Sequence, residues 1–241
     1  MNFYSRLDQI HAQLRKNVWL QYFSIFCRVA LAAGFIPSGL VKIFGERFTS
    51  LSINHPMGHY LEALYYTGYY YTSIGVLQVT AAILLLIPRT ATIGALIYFP
   101  IILNITILSL AVRFVGSHMT SPLMVLACLF LILWDYHKIK YILPFNEPAD
   151  HKILRDKSER IKSFPVKFAI GSLAVLVVLI STLLNMYSIE PYNTMLDCER
   201  QAQKSKNPKL VDDFCDCIHN QGKPLNKCLD TYEAALEGMV K

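Results

Sequence analysis

Seven side chains that can bind ligands or move protons lie in short segments that connect long apolar runs. Histidines and carboxylates exchange protons, whereas lysine and arginine bind anions and carbonyl oxygens. If the connecting segments meet at one face of the molecule, these side chains form a polar ligand site; the alternative is that they are polar only because they touch head groups and water. The candidate residues are Lys42, Glu46, His55, His59, Glu62, Arg113 and His118.

The cysteines fall into two groups. Cys27 and Cys128 lie within apolar runs, where a thiol packs as a small apolar group. The other four lie in the C-terminal tail, where Cys215-Asp-Cys217 could be a redox pair or, with His219, part of a zinc site. A redox dithiol is usually spaced as CxxC, so structural disulfides without a metal are the favoured interpretation.

Five apolar runs dominate the chain, of which 54% is hydrophobic and only 17% charged. The three runs between Thr72 and Trp134 are apolar around their whole circumference, whereas a soluble amphipathic helix carries a charged face with a period of 3.6 residues. Their lengths suit a bilayer, which a helix of roughly 20 residues crosses. We predict an all-α integral membrane protein with transmembrane helices at Val18–Phe44, Thr72–Pro88, Ala91–Val112, Met119–Trp134 and Phe168–Ser188.

The basic residues predict the orientation of the chain. Lysine and arginine mark cytoplasmic loops, and the segment before the fifth run is the most basic. With that segment inside, the N-terminus is inside and the tail outside, so the net charge of +6 reflects membrane orientation rather than nucleic-acid binding. The predicted parts are a cytoplasmic N-terminal segment (1–17), a four-helix bundle (18–136), a basic cytoplasmic linker (137–167), a fifth transmembrane helix (168–188) and an extracytoplasmic cysteine-containing helical domain (189–241).

The sequence of the C-terminal tail predicts which of its cysteines are bonded to each other. Turn signals around Pro208 and Pro224 divide it into three short helices. In antiparallel neighbours, residues equidistant from a turn face each other, and two residues on one helix that are two positions apart point about 200° apart. Of the three possible connectivities, this arrangement favours the pairs Cys198–Cys215 and Cys217–Cys228, on helices predicted at Thr194–Ser205, Leu210–Asn220 and Leu225–Met239.

Three polar residues lie deep within the predicted spans: Arg28, Gln78 and Asn104. Burying an ionisable group in lipid costs several kcal/mol unless it is paired or hydrated, so such a group is by default a functional candidate. Interhelical hydrogen bonding is the favoured interpretation for the two amides. For Arg28, a functional role and snorkelling towards the inner head groups are equally good interpretations.

Residues Val18–Tyr136 resemble the DoxX-like family of small four-helix membrane proteins. The resemblance rests on Gly39-Leu-Val-Lys42 followed by Gly45, and on Gly75, Gln78 and Pro88-Arg89 leading into a small-residue start of the third run. It implies a bacterial inner-membrane protein, in some members linked to quinone-coupled oxidation of sulfur compounds or to redox partner complexes. Quinone is therefore the one cofactor class that the resemblance suggests.

Two functional hypotheses follow. The first is a DoxX-like component of a redox or quinone-linked system, with its ligand site at the outer membrane face. The second is a non-catalytic subunit that anchors or assembles a larger envelope complex, with the C-terminal domain as its docking module. The sequence has no phosphate-binding glycine loop, metalloprotease helix or nucleophile elbow, so whether the protein is an enzyme stays open. The expected partners are the lipid bilayer and other membrane or periplasmic subunits.

Overall fold

The computed structural model describes residues 3–139 and 160–240, and these residues fold as helices joined by loops. Most of the predicted basic linker, residues 140–159, lies outside the described residues. The helices, in chain order, are α1 (Phe3–Lys16), α2 (Val18–Ile43), α3 (Pro56–Tyr65), α4 (Tyr69–Leu86), α5 (Ala91–Ala111), α6 (Thr120–Trp134), α7 (Tyr136–Ile139), α8 (Val166–Asn185), α9 (Met195–Ala202), α10 (Pro208–His219) and α11 (Leu225–Val240).

Helices α2, α4, α5 and α6 pack into the predicted four-helix bundle. Helices α2 and α4 pack closely, since a Cβ atom added to Gly75 would lie 2.6 Å from the Gly39 carbonyl oxygen. The bundle core is apolar and includes the rings of Phe35 and Tyr98, which stack with centroids 3.6 Å apart. Small residues let the backbones approach, and the apolar side chains fill the space that remains.

Four helices, α2, α4, α5 and α8, are long and apolar enough to cross a membrane, with 18 to 26 residues each. The protein is therefore membrane-spanning, and the predicted apolar runs are helices with ends shifted by only a few residues. Helix α6 has 15 residues, about 22 Å at 1.5 Å per residue, which is shorter than a bilayer core. Turns directly before it extend the helical path, with the Ser121 and His118 amides donating to the Ser117 and Phe114 carbonyls.

Helix α8, the predicted fifth span, lies beside the bundle, with Leu183 as its only buried residue. At one end, residues 160–165 are fixed to the junction of α1 and α2: the Val18 amide donates to Ile161 and the Asn17 side chain donates to Ser163. At the other end, the Tyr187 hydroxyl donates to the Leu110 carbonyl at 2.6 Å. Both ends of the helix are thus tied to the bundle.

Helices α9, α10 and α11 form a small unit with its own apolar core (residues 189–240), called the outer module below after the side of the membrane predicted for it. Cys198 is bonded to Cys215, and Cys217 to Cys228, as the turn symmetry predicts. A unit of this size buries too little apolar surface to be stable alone, and the two disulfides offset that deficit.

Helix α1 is an element that the sequence analysis left unassigned. It is amphipathic, ends in Arg15 and Lys16, and lies against the end of the bundle opposite the outer module. His11 donates from Nε2 to the Trp134 carbonyl at 3.0 Å. The described N-terminal and C-terminal segments therefore lie at opposite ends of the bundle.

Candidate functional site

The outer module docks on the end of the bundle formed by the α2–α3 loop and the α5–α6 turn, called the outer face below. Arg113 Nη1 donates to the Ile189 carbonyl at 2.7 Å, and the guanidinium lies 4.7 Å from the centre of the Tyr187 ring. Asn54 Nδ2 donates to the His219 carbonyl at 2.7 Å. Three of these five residues present a backbone carbonyl or a rigid aromatic ring, so the contact uses only two flexible side chains.

Two buried histidines from different parts of the chain meet at this contact. The rings of His55 and His219 lie with centroids 6.0 Å apart. His55 is fully buried, and its Nδ1 accepts the Met57 amide at the start of α3, so its proton is on Nε2, which has no hydrogen-bond partner. His219 Nε2 donates to the Pro191 carbonyl at 2.7 Å, which leaves Nδ1 as an acceptor.

These surroundings oppose a positive charge on His55. Burial and, to a smaller extent, the nearby His219 lower the pKa of His55 to about 4, although the Tyr192 backbone acts in the opposite direction. The imidazole is therefore neutral at neutral pH, and its protonation would oppose docking of the outer module.

The structure brings together three of the seven candidate residues around Phe114. The His55 ring lies 6.1 Å from the Phe114 ring, and the buried His118 donates from Nδ1 to the Phe114 carbonyl at 3.1 Å. Arg113 precedes Phe114 and, with a φ of 52°, turns the chain towards the outer module. All three side chains make intramolecular contacts instead of facing an open cavity.

The other four candidate residues are separate from this group. Glu62 forms an ion pair with Arg47, at 2.6 Å between Oε2 and Nε. Glu46 and His59 are exposed. Lys42 is buried inside the bundle, so the predicted site is divided between the docking contact and a second polar group deeper in the bundle.

That second group is centred on Lys42, whose Nζ donates at 2.9 Å to both the carbonyl and the hydroxyl oxygen of Ser38. Ser38 in turn lies 3.4 Å from Oε1 of the buried Gln78. The ammonium lies 4.1 Å from the centre of the Phe48 ring, which covers it. The group contains a cation and neutral acceptors, with no carboxylate among the described contacts of Lys42.

The remaining predicted intramembrane polar residues differ from each other. Arg28 is partly buried and its Nε has no hydrogen-bond partner. Asn104 is exposed on the outward face of α5 and makes no hydrogen bond to a neighbouring helix within residues 3–139 and 160–240. The interhelical interpretation thus fits Gln78 within this chain and leaves Asn104 directed at the surroundings of the bundle.

A buried polar cluster at the opposite end of the bundle, called the inner cluster below, was missed by the sequence analysis. Its centre is Asp135, which is 3% exposed; Thr92 Oγ1 and Lys138 Nζ donate to its Oδ2 at 2.5 and 3.0 Å. Arg15 lies 3.9 Å from Oδ1 and contacts the His137 ring. Asp135 directly follows the fourth apolar run, and no local pattern connects it with Thr92, 43 positions earlier.

The charges of the inner cluster determine its protonation. Burial by itself raises the pKa of Asp135, but the hydrogen bonds from Thr92 and Lys138 and the charges of Lys138 and Arg15 outweigh burial and lower it. Burial and the Arg15 charge lower the pKa of His137 to about 4. The cluster thus combines an ionised carboxylate with a neutral imidazole.

All four cysteines of the C-terminal tail are in disulfide bonds. Cys215 and Cys217 are bonded to different partners, so they are not a dithiol pair with each other. Among residues 3–139 and 160–240, the structure contains no group of three histidine, cysteine or acidic side chains placed to hold a metal ion.

Comparison with known proteins gives one informative relative. No family model and no solved structure matches the chain. The chain is 34% identical over 146 residues to the uncharacterized protein YwoB of Bacillus subtilis (strain 168), an alignment that covers 58% of this chain and 93% of that protein. The chain therefore matches nearly all of that relative and has a large additional part of its own.

Proposed function

We propose that this protein, which belongs to the same family as the uncharacterized Bacillus subtilis protein YwoB, is a non-catalytic membrane subunit. In this role it anchors and assembles a larger envelope complex and carries the outer module as a docking module. The proposal places the protein in a bacterial inner membrane, with the N-terminus in the cytoplasm and the outer module in the periplasm. The basic segment near α8 and the disulfides of the outer module support this orientation.

The observation that carries the proposal is the outward face of α5. A stripe at helical spacing is exposed there, including Ile93, Leu96, Leu103 and Ile107, and within it stands Asn104. Asn104 is the fourteenth residue of a 21-residue apolar helix, which places its amide within the hydrocarbon layer. An amide that faces lipid without a partner costs several kcal/mol, and a neighbouring transmembrane helix removes that cost.

A second hydrogen-bond deficit lies one turn away on the same stripe. Pro100 has no amide hydrogen, so it cannot donate to the Leu96 carbonyl in the helical pattern. An acceptor and an amide side chain are therefore available on one face of α5. A partner helix with a polar side chain at matching depth can satisfy both, and such contacts are worth about 0.6 to 2 kcal/mol each.

The test is an Asn104→Leu variant of the full chain, expressed in membranes and purified in a mild detergent. We expect wild-type protein to run above the size of its 27.4 kDa chain with a second polypeptide bound. Asn104→Leu is expected to lower the recovery of that polypeptide about tenfold, the factor that 1.4 kcal/mol gives. The matched control is Ile107→Leu, on the same stripe, which retains the partner.

Two outcomes would contradict the proposal. One is wild-type protein that purifies without any other polypeptide. The other is a partner that binds Asn104→Leu as well as wild-type, because the amide would then play no part in assembly. A native mass measurement combined with peptide identification distinguishes these cases.

A second candidate function, a component of a quinone-linked redox system, is favoured by the group around Lys42. A buried ammonium without a carboxylate can donate to a quinone carbonyl oxygen, and the covering Phe48 ring provides an apolar surface beside it. Solvent extraction of the purified protein tests this function. We expect a quinone in wild-type protein and its loss in Lys42→Met, with Arg47→Met as a control that removes a cation from the neighbouring loop. Extracts of wild-type protein without quinone would contradict it.

A further inference from the structure

A cleft of about 550 Å³ lies between the α2–α3 loop and the outer module, and none of the functions above uses it. Its volume is within the usual range of small-molecule sites, roughly 300 to 1,000 Å³. The α2–α3 loop contributes residues 49–52, Phe114 contributes its ring from the α5–α6 turn, and the outer module contributes Asn193, Met195 and His219 among others. The cleft is therefore formed only when the outer module is docked.

The lining of the cleft has no lysine, arginine, aspartate or glutamate. A charged ligand would leave water there without a compensating opposite charge, which is costly. The polar groups that line it are hydroxyls, amides and one imidazole. This composition favours a ligand that is uncharged and rich in hydrogen-bonding groups.

Several of these groups have unused hydrogen-bonding capacity. Asn193 Oδ1 is buried and has no partner, and His219 Nδ1 is an acceptor because Nε2 donates to Pro191. The Thr49 and Ser52 hydroxyl oxygens accept backbone amides, which leaves each O–H available as a donor. The cleft thus offers two acceptors from the outer module and two donors from the α2–α3 loop.

The apolar part of the lining is also placed to contact a ligand. Phe114, Leu51 and Met195 line the same cleft as the hydroxyls and amides. A sugar ring has hydroxyls at its edge, each both donor and acceptor, and C–H groups on its faces. Aromatic and aliphatic side chains pack against such faces while polar side chains bind the edge.

We propose that this cleft binds a neutral polyhydroxylated ligand of the size of a mono- or disaccharide. The ligand hydroxyls donate to Asn193 Oδ1 and His219 Nδ1 and accept from Thr49 and Ser52. Since the two sets of groups belong to different parts of the chain, the bound ligand bridges the bundle and the outer module. Ligand binding then stabilises the docked arrangement.

The experiment uses the full chain in detergent micelles without a sugar head group and three neutral probes: maltose, lactose and N,N′-diacetylchitobiose. Gluconate and glucosamine serve as charged comparators. Saturation-transfer NMR is recorded with each probe at about 10 mM, a concentration that detects dissociation constants in the millimolar range. We expect transfer to at least one neutral probe and at least a tenfold weaker response from gluconate and glucosamine.

Two cleft variants and a control locate the binding. Asn193→Leu removes the buried acceptor at similar volume, and Ser52→Ala removes a proposed donor hydroxyl from the opposite wall without changing the outer module. Both are expected to weaken binding, Asn193→Leu by about tenfold, which corresponds to 1.4 kcal/mol. Ser205→Ala is the matched control, because Ser205 lines a different cleft of the outer module.

The proposal is overturned if no neutral probe gives transfer, if the charged comparators bind equally well, or if both cleft variants bind like wild-type protein. If Asn193→Leu fails to fold, the Ser52→Ala result decides between these outcomes. Partner binding through Asn104 is measured separately and does not depend on the sugar probes, so the failure of one proposal is distinguishable from the failure of the other.

Discussion

His55 links pH to the stability of the docked outer module. Its imidazole is fully buried and caps α3 through Nδ1, and the groups that face it are the His219 ring, the Phe114 ring and the Tyr192 backbone. The pKa of His55 is lowered to about 4 from an ordinary value of 6.5. A depressed pKa means that the unfolded chain takes up the proton first as pH falls, so stability is lost from about pH 6.5 downwards.

We therefore expect His55 by itself to lower the free energy of unfolding by up to about 2 kcal/mol between pH 7 and pH 5, in addition to the separate contribution of His137, whose pKa is also lowered to about 4. Calorimetric unfolding at the two pH values measures this difference. The variant His55→Asn is the control, because asparagine can still accept the Met57 amide and does not titrate. If wild-type protein and His55→Asn lose stability equally, the pH dependence has another origin.

Asp135 is the residue on which the inner end of the bundle depends. Thr92 and Lys138 both donate hydrogen bonds to its carboxylate, and Asp135 is only 3% exposed. Replacing it by asparagine leaves Lys138 and Arg15 without their carboxylate, and the loss of a hydrogen bond to a charged group costs about 1.5 to 3 kcal/mol. We expect this loss in the unfolding free energy of Asp135→Asn.

The matched control for Asp135 is Asp197→Asn. Asp197 also pairs with a cation three residues away, Arg200 at 2.9 Å, but both side chains are largely exposed. An exposed pair contributes at most about 1 kcal/mol. Equal destabilisation by the two substitutions would mean that burial of Asp135 is irrelevant.

Helices α2 and α4 approach each other closely because Gly39 and Gly75, which lie at their contact, have no side chains. A Cβ at Gly75 would lie 2.6 Å from the Gly39 carbonyl oxygen and 2.8 Å from Lys42 Cβ, so the two helices would have to separate. We expect Gly75→Ala to destabilise the protein by about 1 to 3 kcal/mol, the usual cost of overpacking. Thermal unfolding in detergent measures the change.

Gly171→Ala on α8 is the control for Gly75. Nothing lies within 4 Å of a Cβ at Gly171, and alanine is the better helix former. This substitution is expected to be neutral or to stabilise by up to about 1 kcal/mol. A destabilisation as large as that of Gly75→Ala would show that the effect is not due to packing between α2 and α4.

Element prediction from the sequence succeeded where the physical signal is local. The apolar runs predict the ends of the long helices to within a few residues, because nearly every position of a helix that crosses a membrane is apolar. The disulfide pairs follow from helix geometry and two turns that contain proline. Helix α1 has no such signal, because its apolar residues are scattered among charged ones and its position depends on contacts with distant residues such as Trp134.

The candidate site was predictable only in part. Topology alone places the seven candidate residues at one end of the bundle, but it does not show what lies over them. The outer module packs against His55 and Arg113. This contact depends on tertiary packing between segments more than 70 positions apart, such as Arg113 and Ile189. The prediction of a quinone or other ligand at this end stays a prediction.

At the scale of the whole molecule, the protein is a helical bundle with a polar cluster at each end, and the outer module is fixed over one of these ends. The second end holds α1, the inner cluster and the start of α8. In the proposed assembly role, these contacts fix the orientation of both surfaces that meet partners. One surface is the outward stripe of α5 in the membrane, and the other is the outer module in the periplasm.

The central claim is that another protein's helix covers Asn104. The most direct measurement places the photoreactive residue p-benzoylphenylalanine at position 104 in living cells, with the same residue at Leu77, an exposed apolar position of α4, as the reference. If a partner helix covers Asn104, we expect a covalent adduct at position 104 that contains a second, different polypeptide, and no such adduct at position 77. Adducts at position 104 with lipid alone, or with another copy of this chain alone, would contradict it.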